Sequence, residues 1–221
     1  MTASPSVVAE LCVPADWAEL LLPDDDAAHA CFDELARASW PSGPVEVRAA
    51  GARALLSWRA AVLARGAVSH GVVSAPHPGG GTATWHVLSA VVTLPAVGEV
   101  DLGALLAELL RAQGTEELLH VEAFETDLGL GVGVVAEHTV VPPPQLGALA
   151  ARGIEVVAGP VRVGVAAALA CAPGAEQGLL VVGVSLAPEQ VWEVAGLVAV
   201  VAGRSRLHPA PSGNEEEDRS G

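Results

Sequence analysis

Successive runs of this chain that read as strands come in pairs joined by turns too short to hold a crossover helix, and that spacing constrains the fold more than any other feature. Ala67 to Ala75 and Ala83 to Leu94 flank Pro76-His77-Pro78-Gly79-Gly80-Gly81, where proline and glycine mark a hairpin tip. Leu118 to Thr126 and Gly129 to Val141 make a second hairpin, ended by Pro142-Pro143-Pro144. Val7 to Val13, Ile154 to Leu169 and Gly178 to Leu186 read as further strands.

Four helices lie before, between and after these paired strands. Asp24, Asp25 and Asp26 supply cap and first-turn negative charge for a helix to about Ser39, with Ala28, Cys31, Phe32 and Leu35 on its apolar stripe. After Pro41-Ser42-Gly43-Pro44 a second helix runs to about Arg65, with Gly66 as its stop. Leu102, Leu105, Leu106, Leu109 and Leu110 give Asp101 to Gln113 the clearest helical period in the chain. Pro188 opens a valine-rich helix over Glu189 to Gly203. The order β, α, α, β, β, α, β, β, β, β, α predicts an α+β fold: an antiparallel sheet of about six to seven strands with helices packed on it. The expected division is one domain over 1–207, with 142–144 as the point where it could subdivide. Residues 208–221 read as a disordered acidic C-terminal tail, because Glu215 to Asp218 and their neighbours cannot bury enough surface to order themselves.

The opening Glu10-Leu11-Cys12-Val13-Pro14-Ala15-Asp16-Trp17, the segment Arg65-Gly66-Ala67-Val68 and the closing Gly178-Leu179-Leu180-Val181-Val182-Gly183-Val184-Ser185 before a last helix resemble a group of uncharacterised actinobacterial proteins. Those are similar in turn to the PsbP-like α/β sandwich, a fold that includes mycobacterial LpqN-type lipoproteins. The resemblance spans most of residues 7 to 207 and rests on the pattern of strands. It implies a binding or assembly role without defined catalysis and carries over no functional residue.

Composition removes several chemistries. The chain of 221 residues has no lysine and no tyrosine, so no Schiff-base lysine, phosphate-loop lysine or tyrosine acid can exist in it. A formal charge of −15 opposes nucleic acid and anionic membrane surfaces. Cys12, Cys31 and Cys171 are odd in number and show no CxxC spacing, which favours a reducing compartment over a disulfide framework. Met1 to Val8 lacks a basic region followed by a continuous apolar one, and no uncharged run is long enough to span a bilayer without meeting Gly or Pro. The expectation is a cytoplasmic protein with no membrane insertion, no nucleic-acid partner and no cofactor.

Each candidate site has a structural explanation beside the chemical one. Gly129-Leu130-Gly131-Val132-Gly133 lacks the helix that a dinucleotide fingerprint needs after it; alternate glycines also strip one face of a strand so that a helix or ring can approach. Gly183-Val184-Ser185-Leu186-Ala187 lacks the last glycine of a nucleophile elbow, and Ser185 reads as the residue that leads into the helix. His70, His86, His120 and His138 fall one on each of the four hairpin strands. Were the two hairpins adjacent, the four could surround a metal or ligand with Glu122 or Glu137 nearby, His70 lying diagonal to His86. The alternative is a scatter of unrelated histidines. Residues 37 to 65 carry Arg37, Arg48, Arg53, Arg59 and Arg65 against Glu46, a local charge of +4 that leaves −19 on the remainder. Arg48, Arg53 and Arg59 could form a ridge for an acidic partner, the chain's own tail or a second copy, or only compensate neighbouring carboxylates.

The leading expectation is a non-enzymatic protein-interaction or assembly protein, acting through a protein partner or self-association. The alternative is a small-molecule or metal-binding protein, conceivably a hydrolase, using the sheet histidines.

Overall fold

Both predicted hairpins form, and the last two sheet strands make a third. The computed structural model describes residues 7–39, 41–76, 82–94, 101–112, 115–141 and 159–210. Strands β1 (Val7–Glu10) and β2 (Ala18–Glu19) precede helices α1 (Asp25–Ser39) and α2 (Val45–Leu63). The hairpin β3 (Ala67–Pro76) and β4 (Thr82–Thr93) is followed by helix α3 (Leu102–Ala112). Then come β5 (Thr115–Thr126), β6 (Gly129–Val140), β7 (Val161–Cys171) and β8 (Gln177–Ser185). A single 3-10 turn, Pro188–Gln190, leads into helix α4 (Val191–Arg204), and β9 (Arg206–Pro209) ends the described chain.

Seven of the described strands form one antiparallel sheet in the order β2-β3-β4-β8-β7-β6-β5, while β1 pairs with β9 in a separate ribbon. The α+β expectation therefore holds, with the sheet at the upper end of the predicted strand number. Local signals set the helix ends. Asp24 Oδ1 accepts the Ala27 amide at 2.9 Å, and Gly66 ends the α2 turn at φ +83°, a conformation that costs a side chain but not a glycine.

Of the strand expected over Ile154 to Leu169, residues 154–158 lie outside the described residues; the described strand runs Val161–Cys171, directly after Pro160, which has no N–H to give a ladder. Strand β9 was not anticipated, and it moves the start of the proposed tail: His208 and Pro209 are paired with Val8 and Val7. A four-residue strand reading Arg-Leu-His-Pro is too short for its alternation to mark it, and its partner lies at the other end of the chain. Residues 142–144, the Gly79–Gly81 tip and the acidic run 211–221 lie outside the described residues.

The sheet is covered on both sides. Toward α4, Val87, Ala166, Ala168, Ala170, Leu179 and Val181 pack on Val194, Val198, Val201 and Ala202. On the opposite face α3 sets Leu102 and Leu106 against Val132, Val134, Ala167 and Leu169. Farther along that face α1 and α2 bury Phe32, Ala28, Ala36 and Ala52 with Leu20 and Val72. Strand β7 is buried without interruption from Val163 to Cys171, as expected of a strand with helices on both sides.

At the β2 edge the Trp17 indole lies flat on Gly71, so close that a Cβ there would fall inside the ring. Gly71→Ala is expected to displace Trp17 and destabilise the fold by about 1–3 kcal/mol. Adding Trp17→Ala should recover part of that loss in chemical denaturation, because the obstruction is then gone.

Candidate functional site

The residues of the β2–β3–β4 corner build a polar cluster inside an apolar shell. Glu19, on the two-residue strand β2, reaches along the edge of β3. Its Oε1 accepts the amides of Leu21 at 2.7 Å and His70 at 2.9 Å. Its Oε2 accepts the Trp17 indole N–H at 3.2 Å and the Ser69 hydroxyl. Burial works to raise the Glu19 carboxyl, but the hydrogen bonds from Ser69, His70, Leu21 and Trp17 outweigh it and hold the group below its ordinary value.

On the helix-covered face of the same corner, His70 Nε2 and His86 Nδ1 are 3.1 Å apart. The register explains the meeting: His70 pairs with Leu88 and Val72 with His86, so the two imidazoles are diagonal on one face. Trp58 of α2 lies over His70 with ring centroids 4.3 Å apart. Burial, then the neighbouring His86, pushes His70 down to about 4 against the opposing pull of Glu19, and burial lowers His86 too. His70 Nδ1 is buried without a hydrogen-bond partner.

The structure does not bring the other two histidines to this pair. Strands β8 and β7 separate β4 from β6, which breaks the adjacency that a four-histidine site needs. His120 is also turned to the opposite face: a bulge between Leu118 and His120 shifts the register by one residue, and its ring meets Trp192 of α4 at 5.8 Å. His138 pairs with Val163 on β7 and stays far along the sheet from His70. His70 and His86 can offer two nitrogens to a ligand, but among the described residues no three His, Cys, Asp or Glu side chains are grouped to hold a metal ion.

The arginine ridge is also rearranged. Arg59 is only 8% exposed, and its guanidinium turns inward. Nε and Nη2 donate to the Leu22 carbonyl at 3.1 and 2.6 Å, and Nη1 meets Asp25 Oδ1 at 2.7 Å. The Asp25 side chain is 83% exposed, so the ion pair adds little beyond the two bonds to the buried-side carbonyl. Arg59 is a clamp that fastens α2 to the chain leading into α1, not a docking residue; Arg48 is half-buried, and Arg53 alone of the three is exposed.

Among the described residues the largest exposed ring on a regular element lies elsewhere. Trp192 is 55% exposed at the start of α4, and Gly196 and Val200 continue its side of the helix at intervals of four. Beside it runs β5, the last strand of the described sheet. Its exposed His120 and Glu122 are 3.3 Å apart. Farther along, a cleft of about 400 Å³ opens between β5 and α4, lined by Glu125, Asp127, Ala199, Val200, Gly203 and Arg204. Asp127 ties its floor, donating its amide to Gly203 O at 2.7 Å and pairing with Arg204 and Arg206 at 3.5 and 3.6 Å.

The remaining motifs are structural. Phe124 of β5 lies on Gly131, its cross-strand partner, so the glycine run receives a phenylalanine ring rather than a nucleotide. Ser185 is buried, and its Oγ accepts the Ala187 amide at 3.1 Å where the chain turns toward α4. No described helix is long and apolar enough to cross a membrane.

Fold and site together define an α+β sandwich with a sealed polar corner and an open helix–strand face. No family model matches the chain, and no curated protein matches it in sequence. Among solved structures it is similar to LpqN, a protein involved in cell envelope biogenesis of Mycobacterium tuberculosis. The identity is 10% and the TM-score 0.36, over 94% of this chain and 87% of that one. That is a distant likeness of arrangement, and it assigns no role to any residue here.

Two outcomes are expected at the corner. His70 stays neutral in the folded chain down to about pH 4, whereas the unfolded chain protonates it near its ordinary 6.5. The unfolded state therefore binds more protons in that window. Stability should fall as pH drops from 6.5 toward 4, by on the order of 2–3 kcal/mol, and His70→Leu should flatten the slope in denaturation at stepped pH. Arg59→Met should cost about 2–4 kcal/mol by stranding the Leu22 carbonyl, while Arg53→Glu should leave the melting temperature nearly unchanged.

Proposed function

We propose that this chain is a non-enzymatic protein-interaction or assembly protein of the cytoplasm, and that its contact surface is the face formed by α4 and the β5 edge. The observation that carries this reading is Trp192, more than half exposed beside an unpaired strand edge of the described sheet. Tryptophan left in water on a rigid helix forfeits apolar burial, and exposed aromatic anchors of this kind are where binding energy concentrates in protein interfaces. The polar corner is a poorer candidate, because Trp58 covers His70 and four hydrogen bonds occupy Glu19. Free cysteines at 12, 31 and 171 and a net charge of −15 suit a reducing compartment and disfavour nucleic acid or anionic lipid.

A photo-crosslinking amino acid placed at position 192 in the native host tests the reading. A discrete protein adduct at 192 that is missing at position 53, also exposed, supports it; no adduct at 192, or the same adducts at both, overturns it. Trp192→Ala should leave the melting temperature within about half a kcal/mol of equivalent stability, since the ring is largely solvated.

A further inference from the structure

We infer that the occupant of the α4–β5 face is a cationic, extended segment of another protein, which adds to the sheet beside β5 and lays an Arg or Lys side chain against Trp192. The inference rests on the interaction reading above and names its partner.

Three features converge on it. Strand β5 runs for 12 residues and has β6 on one side only, so among the described residues its outer backbone groups are open to another strand. Its formal charges are all acidic: Glu116, Glu117, Glu122 and Glu125. At the start of α4 the exposed Glu193 follows Trp192 in the chain, and among the described residues the one arginine lining the cleft farther along, Arg204, is already paired with Asp127. An incoming strand with basic residues at alternate positions would place them toward Glu122 and the Trp192 ring, where a cation gains from both the carboxylate and the ring face.

Acidic decoration of an edge also protects it from self-association, and the two roles differ in what they need. An edge that is only protected does not need an exposed tryptophan beside it, which by itself promotes association. A second copy of this chain fits less well. Antiparallel pairing of β5 with itself sets carboxylates against carboxylates, and the basic stretch of the partner copy would be helix α2, which cannot add as a strand.

The test uses the full-length chain and three fluorescently labelled peptides of equal length: alternating Arg-Val, Ser-Val and Glu-Val. The expected result is binding of the Arg-Val peptide alone. Amide signals of β5 should be perturbed and protected from exchange, and binding should weaken with added salt. Trp192→Ala and Glu122→Arg should each lower affinity about tenfold, with unchanged melting confirming that both variants fold. Equal binding of the Ser-Val peptide would overturn the cationic inference while leaving the face as an interaction surface. A crosslink at position 192 without binding of any peptide would overturn strand addition and leave the broader reading standing. Concentration-dependent dimers abolished by Trp192→Ala would assign the face to a second copy instead.

Discussion

A helix can lie close to a sheet only where the sheet presents little side chain, and the seating of α4 depends on that condition. Gly164 and Gly183 bring strands β7 and β8 so near the helix that a Cβ at either would overlap Val191, Val194 or Val198. Alanines at 166, 168 and 170 keep the rest of that face shallow. The consequence reaches well beyond the core. With α4 drawn down onto the middle strands, its opening residues overhang β5, which is how Trp192 comes to rest beside His120. The same close approach lets the C-terminal turn of α4 meet the β5–β6 connection at Asp127. The open face is thus set by small residues two and three strands away from it.

The opposite corner uses a different device. Helices α1 and α2 cover the β2–β3 end of the sheet, and two charged side chains hold the arrangement. Glu19 satisfies the amides that a two-residue edge strand cannot pair, and Arg59 takes up the carbonyl of Leu22. Both are charges committed to backbone groups, which is how a charge at partial burial is made tolerable. Those commitments, with Arg59 buried, turn both groups toward the fold rather than toward another molecule, and that separates a stabilising corner from a binding surface.

Much of the architecture was legible because its signals are local. Hairpins follow from turn residues between alternating runs, helix ends from Asp24 and Gly66, and the diagonal meeting of His70 and His86 from the length of one loop. What was not legible depends on long-range order. Nothing in the sequence of β4 or β6 says that β8 and β7 will come between them, so the four-histidine constellation could be imagined but not excluded. A bulge at Leu119 then sends His120 to the far face, a shift of one residue that periodicity cannot register. Arg48, Arg53 and Arg59 could be read as a ridge on α2, but α2 has alanines and leucines around most of its circumference, so its sequence does not say which of them turns inward. Glu19 and Trp192 carried no motif at all; their roles come from what is packed around them.

The ribbon of β1 and β9 sets how the molecule meets mechanical load. Val7 pairs with Pro209 and Glu10 with Arg206, so the two strands leave the ribbon at the same end. Tension applied through the flanking residues would open the pairs one after another, like a zipper, rather than shear them all together. The first strong obstacle behind the ribbon is Ser205, whose hydroxyl accepts the Cys12 amide at 3.0 Å and donates to the Val201 carbonyl at 2.5 Å. Pulling on the two ends therefore spends itself on a short outer fastening before any force reaches the seven-stranded sheet.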